Sequence, residues 1–323
     1  MHPRRAPDAV RRVADALRRF ARRRRVPLMI LGSVAAATVI VLLLAGHRDE
    51  FQTAITGTAL WLLAVAAVLQ LVALLVRTEA WHLCISAAGG KVKRRIVYRA
   101  SSLGVLGSFA QGQLAVAARI TALRRSSPEV APQVPTLIAA EFPILAVEAA
   151  LAALTSFTLI GPLGLPLWLP LLLVALMVAV GTLMRRLALR KGRELWRGLA
   201  VVRRPREGSQ VIGLVLIAVF AQIFRNWMLL HAVGIDASFF DAIAVLIAVV
   251  TLGTLPVGPS VGAAAAVLIL GSAGVAATAA AGVLLTVTGI VGGLCFAMWA
   301  AGDWLWVRGL RPNIRVPAPT TST

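Results

Sequence analysis

The sequence predicts an all-α, polytopic integral membrane protein. Hydrophobic residues make up 59% of the 323 positions and charged residues only 14%, which excludes an ordinary soluble domain. The apolar residues fall in runs long enough to cross about 30 Å of hydrocarbon as helices, without the alternation typical of membrane strands. We therefore expect about six to eight transmembrane helices, with two re-entrant or broken segments among them.

The N-terminal segment, residues 1–26, holds ten arginines around a helical stripe that includes Val10, Val13 and Leu17. This pattern predicts a cytoplasmic amphipathic helix whose arginines bind anionic lipid headgroups. The apolar run 27–45 that follows is long and lacks a clear small-residue cleavage site, so we interpret it as an uncleaved membrane anchor.

The distribution of lysine and arginine predicts the topology, because these residues accumulate in cytoplasmic loops. The loop 47–50 has no positive excess and is expected outside, whereas the basic stretch 77–99, which follows a span at 56–76, is expected inside. The basic loop 185–206 and the arginines from Arg308 onward are expected inside as well.

Four further spans are predicted, at about 136–160, 166–184, 211–233 and 275–300. Residues 27–307 then form a single transmembrane domain, and residues 308–323 form a disordered cytoplasmic tail. This arrangement predicts a multi-pass protein of the inner (plasma) membrane of a bacterial-type cell, with both termini in the cytoplasm.

Two apolar segments have features of broken or re-entrant helices. Segment 100–118 has basic residues on both flanks, so a hairpin that enters and returns satisfies the charge rule, whereas a full crossing leaves three arginines outside. Segment 252–266 contains prolines, which lack the amide hydrogen that continues a helix. The structural breaks are predicted at Gly107, Gly112, Gly253, Pro256, Gly258 and Pro259.

The two segments resemble copies of one unit. Trp81 and Trp227 differ by 146 positions, and so do three further pairs: Leu106 and Leu252, Gly107 and Gly253, and Gly112 and Gly258. The predicted topology makes the units, around 77–118 and 223–264, an inverted repeat of the kind found in transporters. The alternative is a chance match between two small, apolar sequences.

Four stretches occur in order between about residues 60 and 304: "RTEAWHLCISAAGG", "GSFAQGQLAVAARITALRR", "LIAAEFPILAVEAALAAL" and "LPVGPSVGAAAAVLILGSAGV". Through these stretches and their order, the chain resembles the transmembrane domain of the lysylphosphatidylglycerol synthase family, also called flippase-like integral membrane proteins. The resemblance implies translocation of a lipid or a lipid-linked substrate. Lysyl transfer is not expected, because the sequence has no soluble aminoacyl-transfer domain.

Several charged positions of the family pattern are replaced in this chain. The resemblance reaches Arg119 and Glu141, but Val116 stands where the family has a glutamate. Leu145 stands at an expected aspartate and Ala265 where an Arg-Glu pair would end. This chain therefore resembles the family scaffold more closely than the family's polar site.

The charged residues within apolar segments are the predicted substrate-binding residues, because unpaired charges at membrane depth are costly. Arg119, Glu141, Glu148 and Arg225 form this group, with Gln111 and Gln113 as polar candidates in the hairpin. Seven positions separate the two glutamates, which places them on one helical face. Either the carboxylates pair with Arg119 or Arg225 and one arginine holds a lipid phosphate, or the pairs only fix helix packing.

The sequence lacks a nucleophile-base pair, a phosphate-cradling Gly-Lys loop and a set of metal ligands, so we expect no enzyme activity, no cofactor and no metal. Its excess of basic residues lacks the interleaved aromatic residues of nucleic-acid binding, and we interpret the tryptophans as interfacial anchors. The predicted function is flippase-like transport of an anionic phospholipid or a polyprenyl-phosphate lipid. The alternative is a membrane scaffold, without transport, that docks a lipid-modifying enzyme or a glycosyltransferase.

Overall fold

The computed structural model describes the backbone of residues 47–110, 112–189, 194–252, 261–271 and 274–309. These residues form α-helices and short 3₁₀ turns, and they include no strand. The helices are α1 (Arg48–Thr56), α2 (Leu60–Ala87), α3 (Arg94–Ala110), α4 (Gly112–Ser126), α5 (Val134–Ala139), α6 (Phe142–Thr155), α7 (Ile160–Leu163), α8 (Trp168–Leu189), α9 (Glu194–Arg197), α10 (Pro205–Ala232), α11 (Phe239–Leu252), α12 (Val261–Leu270) and α13 (Val275–Gly309).

Five described segments are long and apolar enough to cross a membrane, which confirms the predicted all-α, polytopic class. They are Leu60–Ala87, Val134–Leu163, Trp168–Arg186, Pro205–Ala232 and Val275–Val307. The predicted N-terminal arginine-rich segment, the anchor at 27–45 and most of the C-terminal tail lie outside the described residues.

The long helices α2 and α10 pack against each other at the centre of the fold. One cluster of buried apolar side chains joins α10 to α11, α12 and α13, and includes Leu229, Val245 and Leu284. A second cluster joins α2 and α10 to the α3–α4 and α5–α6 segments, and includes Trp81 and Leu123. The second cluster contains the residues that surround the candidate site.

Helices α3 and α4, which end at Ala110 and begin at Gly112 respectively, pack against each other as an antiparallel hairpin. Gly104 faces Ala115 and Arg119, whereas Gly107 faces Leu114 and Ala118, so the contacts run in opposite directions along the two helices. A Cβ atom at Gly107 would lie 3.1 Å from the carbonyl oxygen of Leu114, so glycine permits this close approach. Gly107 therefore lies inside a helix and is a packing position, not the predicted break.

The hairpin interruption lies between α3 and α4, and Gly112, one of the predicted break positions, is the first residue of α4. In the second half of the chain, α11 ends at Leu252 and α12 begins at Val261. The predicted breaks at Gly253, Pro256, Gly258 and Pro259 fall between these helices, outside the described residues.

The predicted span at 136–160 is interrupted near its start. Helix α5 ends at Ala139, and α6 begins at Phe142 with Pro143 in its first turn. Because proline lacks an amide hydrogen and its ring clashes with the carbonyl four residues before it, a continuous helix is disfavoured here. Glu141 consequently occupies the cap position of α6.

Candidate functional site

A buried ion pair lies between the hairpin and the interrupted span. The Arg119 guanidinium, on α4, donates a hydrogen bond from Nη2 to Oε1 of Glu141. The side chains are only 12% and 7% exposed, respectively. Glu141 lies at the cap position of α6, where its carboxylate meets Arg119 in the middle of α4.

An aromatic ring forms the other side of the Arg119 site. The Cζ atom of Arg119 lies 4.1 Å from the centroid of the Trp81 ring, which is within cation–π distance. Trp81 is fully buried, so the prediction that the tryptophans are interfacial anchors is wrong at this position. The guanidinium is therefore held between a carboxylate and an aromatic face.

A glycine contact explains how α4 comes close enough to form this site. A Cβ atom at Gly104 would lie 3.0 Å from the carbonyl oxygen of Ala115 and 3.1 Å from the Cβ of Arg119. A side chain at this position would press directly on the residue that carries the guanidinium. The small residue in α3 thus allows Arg119 to occupy its place between the helices.

A second ion pair joins α2 to α6. The Arg77 Nη1 and the Glu148 Oε1 are 2.9 Å apart, and their side chains are 38% and 23% exposed. The four charged side chains interact electrostatically, since Arg77 and Glu148 both act on Arg119, and Glu141 acts on Glu148. We call Arg77, Arg119, Glu141 and Glu148 the ionic cluster, which contains two cations and two anions.

Arg77 corrects two parts of the sequence analysis. The predicted span ends at residue 76, before Arg77, but α2 continues to Ala87 and so contains Arg77. Of the two partners expected for the glutamates, Arg119 binds Glu141, whereas Arg225 has no described contact with either glutamate, and Arg77 binds Glu148. The two glutamates share one helical stretch, because Glu141 is the cap residue of α6, has helical backbone angles and accepts a hydrogen bond from the Leu145 amide.

Arg225 lies in a separate polar contact at the centre of the fold. Its Nη1 donates a hydrogen bond to Oε1 of Gln70 on α2. The residue is 8% exposed, and within the described part of the chain neither its Nε nor the Oδ1 of the neighbouring Asn226 has a hydrogen-bond partner. Arg225 is thus a buried cation that contacts an amide where the sequence predicted a carboxylate.

The remaining predicted polar residues are not placed by the structure. Gln111 lies outside the described residues, and the side chain of Gln113 is not described although its backbone belongs to α4. Among the described residues, no group of three or more histidine, cysteine or acidic side chains is arranged to hold a metal ion.

Two further ion-pair clusters were not predicted. Glu79 accepts hydrogen bonds from Arg94 and from the Tyr98 hydroxyl, the latter at 2.9 Å. This carboxylate raises the pKa of the Arg94 guanidinium above its ordinary value, because it stabilises the charged form. Asp303 accepts a 2.6 Å hydrogen bond from Nε of Arg99. One feature of the sequence could have indicated these clusters: each acidic residue lies at or near the end of a long apolar run, with basic residues further along the chain.

Comparison with known families agrees with this architecture. The family model described as the lysylphosphatidylglycerol synthase TM region matches residues 29–298. The chain belongs to this family. No curated protein and no solved structure matches it. Membership in the lysylphosphatidylglycerol synthase transmembrane family confirms the resemblance found in the sequence and indicates a role connected with membrane lipids.

In this member of the lysylphosphatidylglycerol synthase transmembrane family, the buried pair joins the two charged residues that the sequence resemblance reaches. Arg119 and Glu141 contact each other, whereas Leu145, at the position where the resemblance predicts an aspartate, is 45% exposed on α6. Val116, where the resemblance predicts a glutamate, is also partly exposed. The charged site that remains is therefore centred on Arg119 and Glu141.

Proposed function

We propose that this protein moves an anionic phospholipid or a polyprenyl-phosphate lipid between the leaflets of the membrane. The observation that carries the proposal is the buried Arg119–Glu141 pair, which lies at the interruption of a membrane-spanning segment. Buried charges within a membrane domain are costly, and such residues commonly mark the path of a substrate. Family membership supports a lipid as that substrate.

The chemistry of the pair suits a phosphate. A guanidinium binds a carboxylate or a phosphate through the same forked hydrogen bonds, so a lipid phosphate would replace Glu141 as the partner of Arg119. The nearby Arg77–Glu148 pair, with an N–O distance of 2.9 Å, would help to compensate the carboxylate released by this exchange. Exchange between two anionic partners would keep the arginine paired during each step.

The order of the elements supports a transporter-like arrangement. Helices α2 and α10 each contain 28 residues and begin 145 positions apart, and each precedes a pair of shorter helices. We infer that these halves are an inverted repeat, with α3–α4 and α11–α12 as its re-entrant elements. Movement of one half against the other would expose the Arg119 site to each leaflet in turn.

The proposal also covers the orientation of the protein in the membrane and its contacts with lipid headgroups. We propose that both termini face the cytoplasm of a bacterial-type cell, that the N-terminal arginines bind anionic headgroups, and that no covalent chemistry accompanies transport. The concentration of arginine in residues 1–26 supports this orientation.

Reconstitution tests the transport proposal directly. The purified full chain would be incorporated into liposomes that contain fluorescent phosphatidylglycerol or a fluorescent polyprenyl phosphate, and leaflet exchange would be followed by quenching from outside. We expect exchange above that of empty liposomes, and its loss in Arg119→Gln and Glu141→Gln. Arg204→Gln is the matched control, because Arg204 forms an exposed pair with Glu207 at 2.7 Å.

The outcomes separate transport from the alternative function. Loss of exchange in the Arg119 and Glu141 variants, with normal exchange in the control, supports transport through the buried pair. No exchange of either lipid by the folded wild-type protein overturns the proposal and favours a scaffold that docks a membrane enzyme. Size-exclusion elution and helical circular dichroism would establish that each variant is folded.

A further inference from the structure

A second candidate site lies between the α3–α4 hairpin and the C-terminal half of α13. These elements enclose a cavity of about 1040 Å³, which is at the upper end of the range for small-molecule sites. Its lining includes basic side chains of α3, α4 and the residue before α3, together with apolar side chains of α3 and α13. We propose that this cavity, the hairpin groove, binds the phosphate headgroup and adjoining chain of an anionic phospholipid.

The charge of the groove favours an anion. Five cationic residues line it, namely Lys93, Arg94, Arg95, Arg99 and Arg125. Two carboxylates oppose them, since Glu79 binds Arg94, and Asp303 binds Arg99 and lies 3.8 Å from Arg95. Among the described residues, Lys93 and Arg125 form no salt bridge. The groove therefore has an excess of positive charge and two basic residues free to contact a phosphate.

The apolar part of the groove favours a lipid over free phosphate. Arg99, Leu103 and Leu106 line the same cavity at helical spacing along α3, so an apolar stripe continues directly from the basic end. Leu103 is 50% exposed and Leu106 is 39% exposed, which leaves this stripe open to a ligand. Trp304 of α13 adds an aromatic wall, of the kind that lies at the headgroup level of membranes.

The hairpin brings the two basic ends together. Lys93 directly precedes α3, Arg99 lies in the first half of α3 and Arg125 lies near the end of α4, yet all of them line one cavity. An alkyl chain placed along Leu103 and Leu106 would point from these charges toward the tip of the hairpin. This arrangement matches a molecule with a charged head and an apolar chain.

The hairpin groove is distinct from the Arg119–Glu141 pair, because neither residue lines it. The inference goes beyond the proposed function, since a protein that does not transport lipid could still bind one here. Binding and transport are therefore measured separately.

Photolabelling tests the groove. The full chain would be placed in phosphatidylcholine nanodiscs that contain a small fraction of phosphatidylglycerol with a diazirine in its acyl chain. We expect labels on peptides of α3, α4 or α13, and competition by unlabelled phosphatidylglycerol but not by added phosphatidylcholine. Loss of label on adding millimolar inorganic phosphate would instead assign the site to free phosphate and overturn the proposal.

Variants define the contribution of the charges. The double variant Lys93→Gln/Arg125→Gln removes two cations without breaking a described ion pair, and we expect roughly 5-fold weaker phosphatidylglycerol binding for each charge removed. Asp303→Asn should strengthen binding, because it removes the carboxylate that occupies Arg99. The matched control is Arg203→Gln/Arg206→Gln, which removes two exposed charges away from the groove.

The result has two readings. Weaker labelling in Lys93→Gln/Arg125→Gln with unchanged labelling in the control supports the groove. Equal labelling in both double variants, or labels confined to other helices, overturns it. The leaflet-exchange assay on the same variants distinguishes failure of the groove from failure of the transport proposal, because the Arg119–Glu141 pair is intact in all of them.

Discussion

The guanidinium of Arg119 lies over the indole ring of Trp81, with 4.1 Å between Cζ and the ring centroid, while its Nη2 binds Glu141. The arrangement combines two favourable contacts for one buried cation, because both the carboxylate and the face of the aromatic ring carry negative charge density. Both contacts are therefore expected to contribute to the stability of the fold and to the position of the guanidinium.

The aromatic contact predicts a graded effect at position 81. Trp81→Phe retains a ring but weakens the cation–π contact, whereas Trp81→Leu removes it, so the free energy of unfolding should fall in that order. The cation–π part should be about 0.5–2 kcal/mol, and loss of packing adds to it. Thermal unfolding in detergent, followed by circular dichroism, measures the difference. Trp168→Phe is the control, because Trp168 is 61% exposed. Equal destabilisation by phenylalanine and leucine would exclude a contribution from the ring.

The Arg119–Glu141 pair predicts strong coupling between the two positions. Removing one partner leaves the other buried and unpaired, so Arg119→Met or Glu141→Leu alone should cost about 3–5 kcal/mol. The double variant removes both charges and should recover much of that loss. A double-mutant cycle from denaturant unfolding gives the coupling free energy. Additive losses in the double variant would contradict a direct pair.

The second pair predicts a smaller effect, because its side chains are more exposed. Arg77 and Glu148 are 38% and 23% exposed, against 12% and 7% for Arg119 and Glu141. Arg77→Gln should therefore lower the melting temperature less than Arg119→Gln does. The two variants make the same change of charge and side-chain type, so each serves as a control for the other. A larger loss in Arg77→Gln would mean that the cluster is organised around Glu148.

The fold class and most spans could be predicted from the sequence. Long uninterrupted apolar runs cross a membrane as helices, because a helix satisfies its backbone hydrogen bonds within the segment. The sequence also placed Arg119 and Glu141 in the site, because the family resemblance reaches them. It ended the second span before Arg77, because charge counting assigns arginines to loops, whereas α2 continues past this residue to Ala87. It predicted the pairing of Arg119 with a glutamate but missed Arg77 as the partner of Glu148, since that pairing depends on which helices pack together.

Two other differences have the same physical origin. Trp81 is of a residue type that commonly anchors helices at the membrane interface, but it is fully buried, because Arg119 of α4 lies over its ring. Gly107 is of a residue type that commonly interrupts helices, but it lies within α3, where the absence of a side chain allows α4 to approach closely. Neither outcome depends on local sequence preference. Each is decided by contact with another helix, which is α4 in both cases.

The interruption that positions Glu141 predicts a sensitive glycine in a distant segment. A Cβ atom at Gly198 would lie 2.5 Å from the carbonyl oxygen of Thr136 and 2.5 Å from the Cβ of Ala139. A side-chain rotation cannot relieve a clash with backbone, so Gly198→Ala should destabilise the fold by about 1–3 kcal/mol. Thermal unfolding measures this loss.

Gly213→Ala in α10 is the matched control, because its Cβ would have no neighbour within 4 Å. Alanine has the higher helix propensity, so this variant should gain about 0.5–1 kcal/mol. A neutral Gly198→Ala would contradict the packing of this segment against α5.

The Arg225–Gln70 contact predicts opposite effects on stability and on transport. A buried cation without a carboxylate partner is costly, so replacing Arg225 and Gln70 together, as Arg225→Met/Gln70→Leu, should raise the free energy of unfolding by about 1–4 kcal/mol. The joint change matters, because Arg225→Met alone would leave the amide of Gln70 buried without its partner.

If the cation belongs to the proposed path of an anionic lipid, the stabilised variant should exchange lipid more slowly. Denaturant unfolding and leaflet exchange on the same preparation provide both values. A stabilised protein with wild-type exchange would remove Arg225 from the path, whereas a destabilised one would show that the guanidinium is needed for packing of α2 against α10.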